Sequence, residues 1–89
     1  MTIRKEVYYK SPFTGEKKWH LFADLISYAR LLPFYIDERT DGLFYVRPSI
    51  CGLGANGEDL WLLCDRKYFR SMRDALAYVR ECLRKYGWR

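Results

Sequence analysis

Phe34-Tyr-Ile-Asp-Glu-Arg-Thr-Asp-Gly-Leu-Phe-Tyr-Val-Arg47 is the stretch on which the reading of this chain turns. Thr40-Asp41-Gly42 has turn chemistry, and apolar residues alternate on either side of it, which marks a hairpin. Pattern also sets the loop length. A two-residue Asp-Gly loop pairs Arg39 with Phe44 and Asp37 with Val46, mixing polar and apolar side chains on one face. A three-residue loop with Gly42 in the left-handed region pairs Ile36 with Val46 and Glu38 with Phe44. That register gathers Phe34, Ile36, Phe44 and Val46 on one side. A slip of one residue would turn the whole set outward, so the three-residue loop is predicted.

Neighbours on a strand face opposite ways. If Phe34 and Phe44 are inside, Tyr35 and Tyr45 share the other face with Arg39, Leu43 and Arg47. A face of tyrosines and arginines can stack bases. It can equally act as a protein hot spot, where both residue types are enriched. The plain alternative is that another part of the chain, or a second copy, covers it.

Toward the C-terminus, Leu60-Trp-Leu-Leu-Cys64 is a short continuous apolar run that suits a central strand. Ser71-Met-Arg-Asp74 then reads as an N-cap followed by a carboxylate three residues on. Met72, Ala75, Leu76, Val79, Cys82, Leu83 and Tyr86 recur at helical spacing in a stripe about 120° wide, the width of a core-facing face. Gly87 can leave the helix through the left-handed region. An amphipathic helix is predicted at about residues 71–86.

Toward the N-terminus, residues 3–10 alternate and suit a strand. Ser11-Pro-Phe-Thr-Gly15 is a turn cluster, after which 17–21 either returns as a second strand or opens a helix. Leu21, Phe22, Leu25, Tyr28, Ala29 and Leu32 share a helical face that Pro33 would end, so a helix is expected there. The expected fold is α+β: a single domain over 1–89, with a small antiparallel sheet of three to five strands packed on one face by two helices. The element order is β(β)αβββα.

Charge is divided unevenly. Residues 1–65 hold eight Lys/Arg against nine Asp/Glu, while residues 66–89 hold eight against two. Measured from Met72, Arg73, Arg80 and Arg84 fall at about 100°, 80° and 120° around the helix, one row beside the apolar stripe. Arg66, Lys67 and Arg70 extend the row just before the helix. Asp74 and Glu81 lie farther round, at about 200° and 180°. Unpaired guanidinium groups suit phosphate or carboxylate partners. A solvated face in which Glu81 pairs Arg84 or Lys85 is the plain reading.

Other features point away from catalysis. Gly52-Leu-Gly54-Ala-Asn-Gly57 matches the dinucleotide fingerprint by letter. It is followed by Glu58-Asp59 and an expected strand, not by the helix N-terminus the chemistry needs. It reads as a flexible connection, with a mobile recognition loop as the minor alternative. His20 is the sole histidine, with no nucleophile or acid at a local spacing. Cys51, Cys64 and Cys82 form no C-x-x-C pair, and their apolar neighbours suit buried thiols in a reducing compartment. No signal peptide or membrane-spanning run is read, so a cytoplasmic location is expected.

No enzyme, cofactor or metal is expected. The reading is a small non-enzymatic interaction protein, an adaptor or inhibitor. Phage and other mobile elements use proteins of this size to block host machinery such as defence complexes. Its partner is another macromolecule, protein ahead of nucleic acid, with no membrane, and a homodimer is a further candidate. The binding residues are Tyr35, Tyr45 and Arg47 on the sheet and Arg66, Lys67, Arg70, Arg73, Arg80 and Arg84 in the basic segment. The alternative is a nucleic-acid-binding domain that contacts phosphates through the C-terminal helix.

Overall fold

The computed structural model describes residues 2–89. The chain runs β1 (Thr2–Lys10), β2 (Lys17–Asp24), β3 (Ala29–Glu38), β4 (Phe44–Pro48), α1 (Leu60–Leu63), β5 (Lys67–Phe69) and α2 (Met72–Tyr86). The five strands form one sheet in the order β1-β2-β3-β4-β5, and every neighbouring pair is antiparallel. The α+β class, the antiparallel sheet and the C-terminal helix are as expected. No helix among the described residues is long and apolar enough to cross a membrane.

The hairpin at 34–47 has the register that its pattern demanded. Ile36 pairs with Val46 and Glu38 with Phe44. The Arg39 N–H donates to the Leu43 carbonyl at 2.8 Å, and Gly42 sits at φ +87°, a conformation that side chains with a Cβ rarely adopt. Asp41 locks the turn by accepting from the Leu43 N–H at 3.1 Å. That bond and the Arg39 guanidinium hold the Asp41 carboxyl below its ordinary range.

Phe34, Ile36, Leu32 and Val46 are fully or almost fully buried on the helix side of the sheet, with Leu21, Ala23 and Ile3 beyond them. Ala75, Val79, Cys82 and Leu83 of α2 and Leu60 and Cys64 around α1 complete this core. Burying each large apolar side chain contributes roughly 1.5–3 kcal/mol. α2 starts where predicted, with the Ser71 hydroxyl accepting from the Asp74 N–H at 3.1 Å. It ends at Gly87, φ +65°, whose N–H donates to the Leu83 carbonyl.

Two elements differ in type from the expectation. The helix expected across Leu21–Leu32 is instead the end of β2, a turn and the start of β3. The same residues also satisfy a period of two, with Trp19, Leu21 and Ala23 facing the core from β2 and Leu32, Phe34 and Ile36 from β3. Only the turn at Leu25–Tyr28 breaks that alternation. It is closed by the Leu25 N–H donating to the Tyr28 carbonyl at 2.8 Å. Pro33 lies inside β3 where the register slips between His20 and Phe22, an irregularity that absorbs its missing N–H.

The strand expected at Leu60–Cys64 is the short helix α1. Asp59 caps it by accepting from the Trp61 N–H at 3.0 Å. Leu60 and Cys64, four residues apart, both face the core, while Leu62 between them is 78% exposed. A strand would have put all three on one side. The expected order thus becomes ββββαβα, with β5 an additional short strand after α1.

The glycine-rich segment is a packed connection. Gly52 is buried, and a Cβ there would stand 2.9 Å from the Cβ of Pro33. The Ala55 N–H donates to the Tyr86 carbonyl, and the Arg89 N–H to the Leu53 carbonyl, which ties the segment to the end of α2. The helix that follows, α1, has only four residues, and the Asp59 carboxylate already caps its N-terminus, so it offers no place for a pyrophosphate. Among the cysteines, Cys64 and Cys82 are buried as expected, whereas Cys51 is exposed.

Candidate interaction surfaces

Both helices pack on one side of the sheet, and no element among the described residues covers the other. Strand alternation therefore sends a second set of side chains into the open. They are Arg4, Glu6 and Tyr8 from β1, Lys18, His20, Phe22 and Asp24 from β2, and Leu31, Tyr35 and Asp37 from β3. Tyr45 and Arg47 from β4 and Tyr68 from β5 complete the set. None of them is buried.

Aromatic rings run across this face in two groups. The Tyr8 and His20 rings stack at 3.9 Å with 13° between their planes, and Tyr35 lies 5.5 Å from His20 and 6.0 Å from Tyr8. Phe22 meets His20 edge-on at 6.1 Å. Tyr45 and Tyr68 pair at 4.6 Å on the far side. Cations sit on these rings, with Arg47 over Tyr35 at 4.9 Å, Arg4 over Phe22 at 4.9 Å and Arg39 over Tyr68 at 5.5 Å.

Asp37 organises the centre. Its Oδ2 accepts from Arg47 Nε at 3.4 Å, and its Oδ1 lies 3.6 Å from Lys18 Nζ. Oδ1 is shielded from solvent and has no hydrogen-bond partner among the described residues. It lines a cleft of about 120 Å³ with Lys18, Arg39, Tyr45 and Tyr68. A donor arriving from outside would satisfy it. Arg4 bonds to Asp24 and to Glu6, which raises its already high pKa. Arg4, Lys18, Arg39 and Arg47 stand against Glu6, Asp24 and Asp37, so the face is close to charge balance.

Of the residues singled out in the sequence, Tyr35, Tyr45 and Arg47 are brought together here. The six basic ones lie elsewhere, and Arg66, Lys67 and Arg84 among them are engaged. Arg66 stacks on Trp61 at 4.4 Å and donates to its carbonyl. Lys67 belongs to β5 and sits 5.0 Å over the Tyr78 ring on the helix side. Arg84 pairs with Glu81 through two nitrogens, and this contact lowers the Glu81 pKa. Arg70 borders a shallow depression with Asp41, Gly42 and Leu43. Arg73 and Arg80 are exposed and make no ion pair among the described residues.

The expected row of six thus contracts to Arg73 and Arg80, with Arg70 nearby, on the opposite side of the molecule from the tyrosines. Tyr8, His20, Phe22 and Tyr68 were not foreseen as members of a surface. Their place depends on the pairing of β1, β2 and β5, which the local pattern left open. No protein-family model, curated protein or solved structure matches this chain.

Proposed function

We propose that the chain is a non-enzymatic interaction protein, an adaptor or inhibitor, that docks on a partner protein through its open sheet face. The observation that carries this reading is the uncovered five-strand face, where six aromatic or imidazole rings are interleaved with arginines. Tyrosine and arginine concentrate binding energy at protein interfaces, tyrosine through apolar area and a polar tip with only two torsions to freeze, arginine through a planar fork of donors. The near balance of charge suits a protein surface better than a phosphate backbone, which selects for unopposed cations.

Affinity capture of partners from a lysate, at low and at moderate salt, tests this reading. A stoichiometric protein partner retained at moderate salt by the wild type and lost by Tyr45→Ala and Arg47→Ala is the expected result. Capture unaffected by both substitutions removes the sheet face from the function.

A second reading rests on Arg73 and Arg80, which are free to meet phosphates. Under it, duplex DNA or single-stranded RNA binds with an affinity that drops steeply with salt, and Arg73→Glu with Arg80→Glu abolishes most of it. Absent or salt-insensitive gel shifts exclude it.

A further inference from the structure

The two edges of the sheet are unequal. β5 is three residues long, whereas β1 presents nine residues with nothing among the described residues paired on its outer side. Long unpaired edges are normally blunted by charges, prolines or cover, because they template pairing with another chain. β1 contains no proline, its charges Arg4, Lys5, Glu6 and Lys10 are of both signs, and the helix layer leaves its far end open: Ile3 is buried, but Val7, on the helix side, is 43% exposed.

β1 is also complementary to itself. Consider two copies pairing antiparallel about a twofold axis normal to the sheet, so that each face continues into its counterpart. With the axis at Lys5, Arg4 of each copy stands opposite Glu6 of the other on the open face, twice over. Ile3 stands opposite Val7 on the helix side, also twice. Shifting the axis by one residue toward the N-terminus puts Arg4 against Arg4, and toward the C-terminus Glu6 against Glu6. Like charges directly opposite are destabilising, and of these three registers only the one centred on Lys5 also sets opposite charges against each other. Its one like pair is Lys5 with Lys5, and the Lys5 ammonium leans inward to 5.7 Å from the Trp19 ring on β2. The register irregularity of β1 lies between Val7 and Tyr9, at the end of the stretch that would pair.

We propose that this chain forms a dimer with a second copy of itself by antiparallel pairing of β1 with β1 in the register that sets Arg4 against Glu6. The junction makes a ten-strand sheet with both open faces on the same side. It does not depend on the function proposed above, because the edge, not the face, is what the second copy covers.

Sedimentation analysis over a range of chain concentrations reads this directly, with circular dichroism to verify folding. The wild type is expected to dimerise reversibly. Lys5→Thr, which removes the like pair at the axis, should tighten the dimer by about two- to fivefold, and Glu6→Arg, which sets an arginine opposite each Arg4, should weaken it by about tenfold or more. In a Cys51→Ser background, Lys5→Cys should cross-link to its own counterpart under oxidised glutathione far faster than Thr2→Cys, which faces Tyr8 in this register. This cross-link decides the matter if Glu6→Arg fails to fold. The proposal is overturned if wild type and Lys5→Thr both stay monomeric at millimolar concentration, or if the two cysteine variants cross-link equally. A dimer that survives a folded Glu6→Arg and is lost in Tyr45→Ala also overturns it, since that dimer would use the tyrosine face.

Discussion

Phe34 is fully buried on the helix side of β3, and Tyr35, its neighbour, stands in the open beneath the Arg47 guanidinium. One step along a strand separates a stability residue from a recognition residue, and the two should respond differently to truncation. Phe34→Ala opens a cavity in the core that Phe34 shares with Ile36, Val46 and the buried α2 side chains, and should cost about 3–5 kcal/mol. That is a large share of the total stability of a small domain. Tyr35→Ala forfeits ring contacts with Tyr8 and His20, each aromatic pair being worth about 0.5–1.5 kcal/mol, and leaves the core intact. Urea denaturation midpoints compare the two. A Tyr35→Ala loss as large as that of Phe34→Ala would mean that the open face is a structural layer and not a free surface.

The two helices show what a short element can declare about itself. Ser71 and Gly87 bracket α2 with cap chemistry, and its apolar stripe is unambiguous, so its limits were readable from the residues alone. Ser71→Ala should cost about 1 kcal/mol, seen as a lower thermal midpoint. The hairpin at 34–47 was readable for a similar reason, because turn residues and alternation agreed on one register. With it came Tyr35, Tyr45 and Arg47 as one face. Leu21–Leu32 was not readable, because Leu21, Leu25, Tyr28 and Leu32 fit a helical face while Leu21, Ala23 and Leu32 fit two strands, and only tertiary pairing decides. α1 is a run of four apolar residues, too short for periodicity to separate helix from strand; the signal that was available is Asp59 as its cap. The junction of α1 and α2 also has a pH signature. Burial, followed by the neighbouring Cys82, pushes the Cys64 thiol from an ordinary value of 9.0 up to about 12. Burial raises the Tyr78 hydroxyl as well. Above pH 9 the unfolded chain releases a proton that the folded chain keeps. Stability that is complete below pH 9 is therefore lost as pH climbs toward 12. Denaturation midpoints across that range should fall for the wild type and fall less steeply for Cys64→Ala.

At the scale of the whole molecule, the excess of positive charge and the open aromatic face are kept apart. The excess of cations lies in residues 66–89, mostly on and before α2, while the tyrosines look out from the opposite side of the sheet. A helix about 10 Å across, with the core beneath it, lies between Arg73 or Arg80 and the open face. The Debye length is also about 10 Å at 0.1 M salt, so an anion held at α2 is largely screened from a ligand on the tyrosine side. The two surfaces should consequently act independently. Saturating the basic side with a short polyanion such as heparin should leave the affinity of a protein partner for the open face within about twofold, the size expected for a residual screened field. Titration of the partner with and without heparin, at two salt concentrations, measures this. Mutual exclusion at moderate salt would mean that the partner wraps around an edge of the sheet to reach both sides. In that case Arg73→Glu should weaken the partner as much as Tyr45→Ala does.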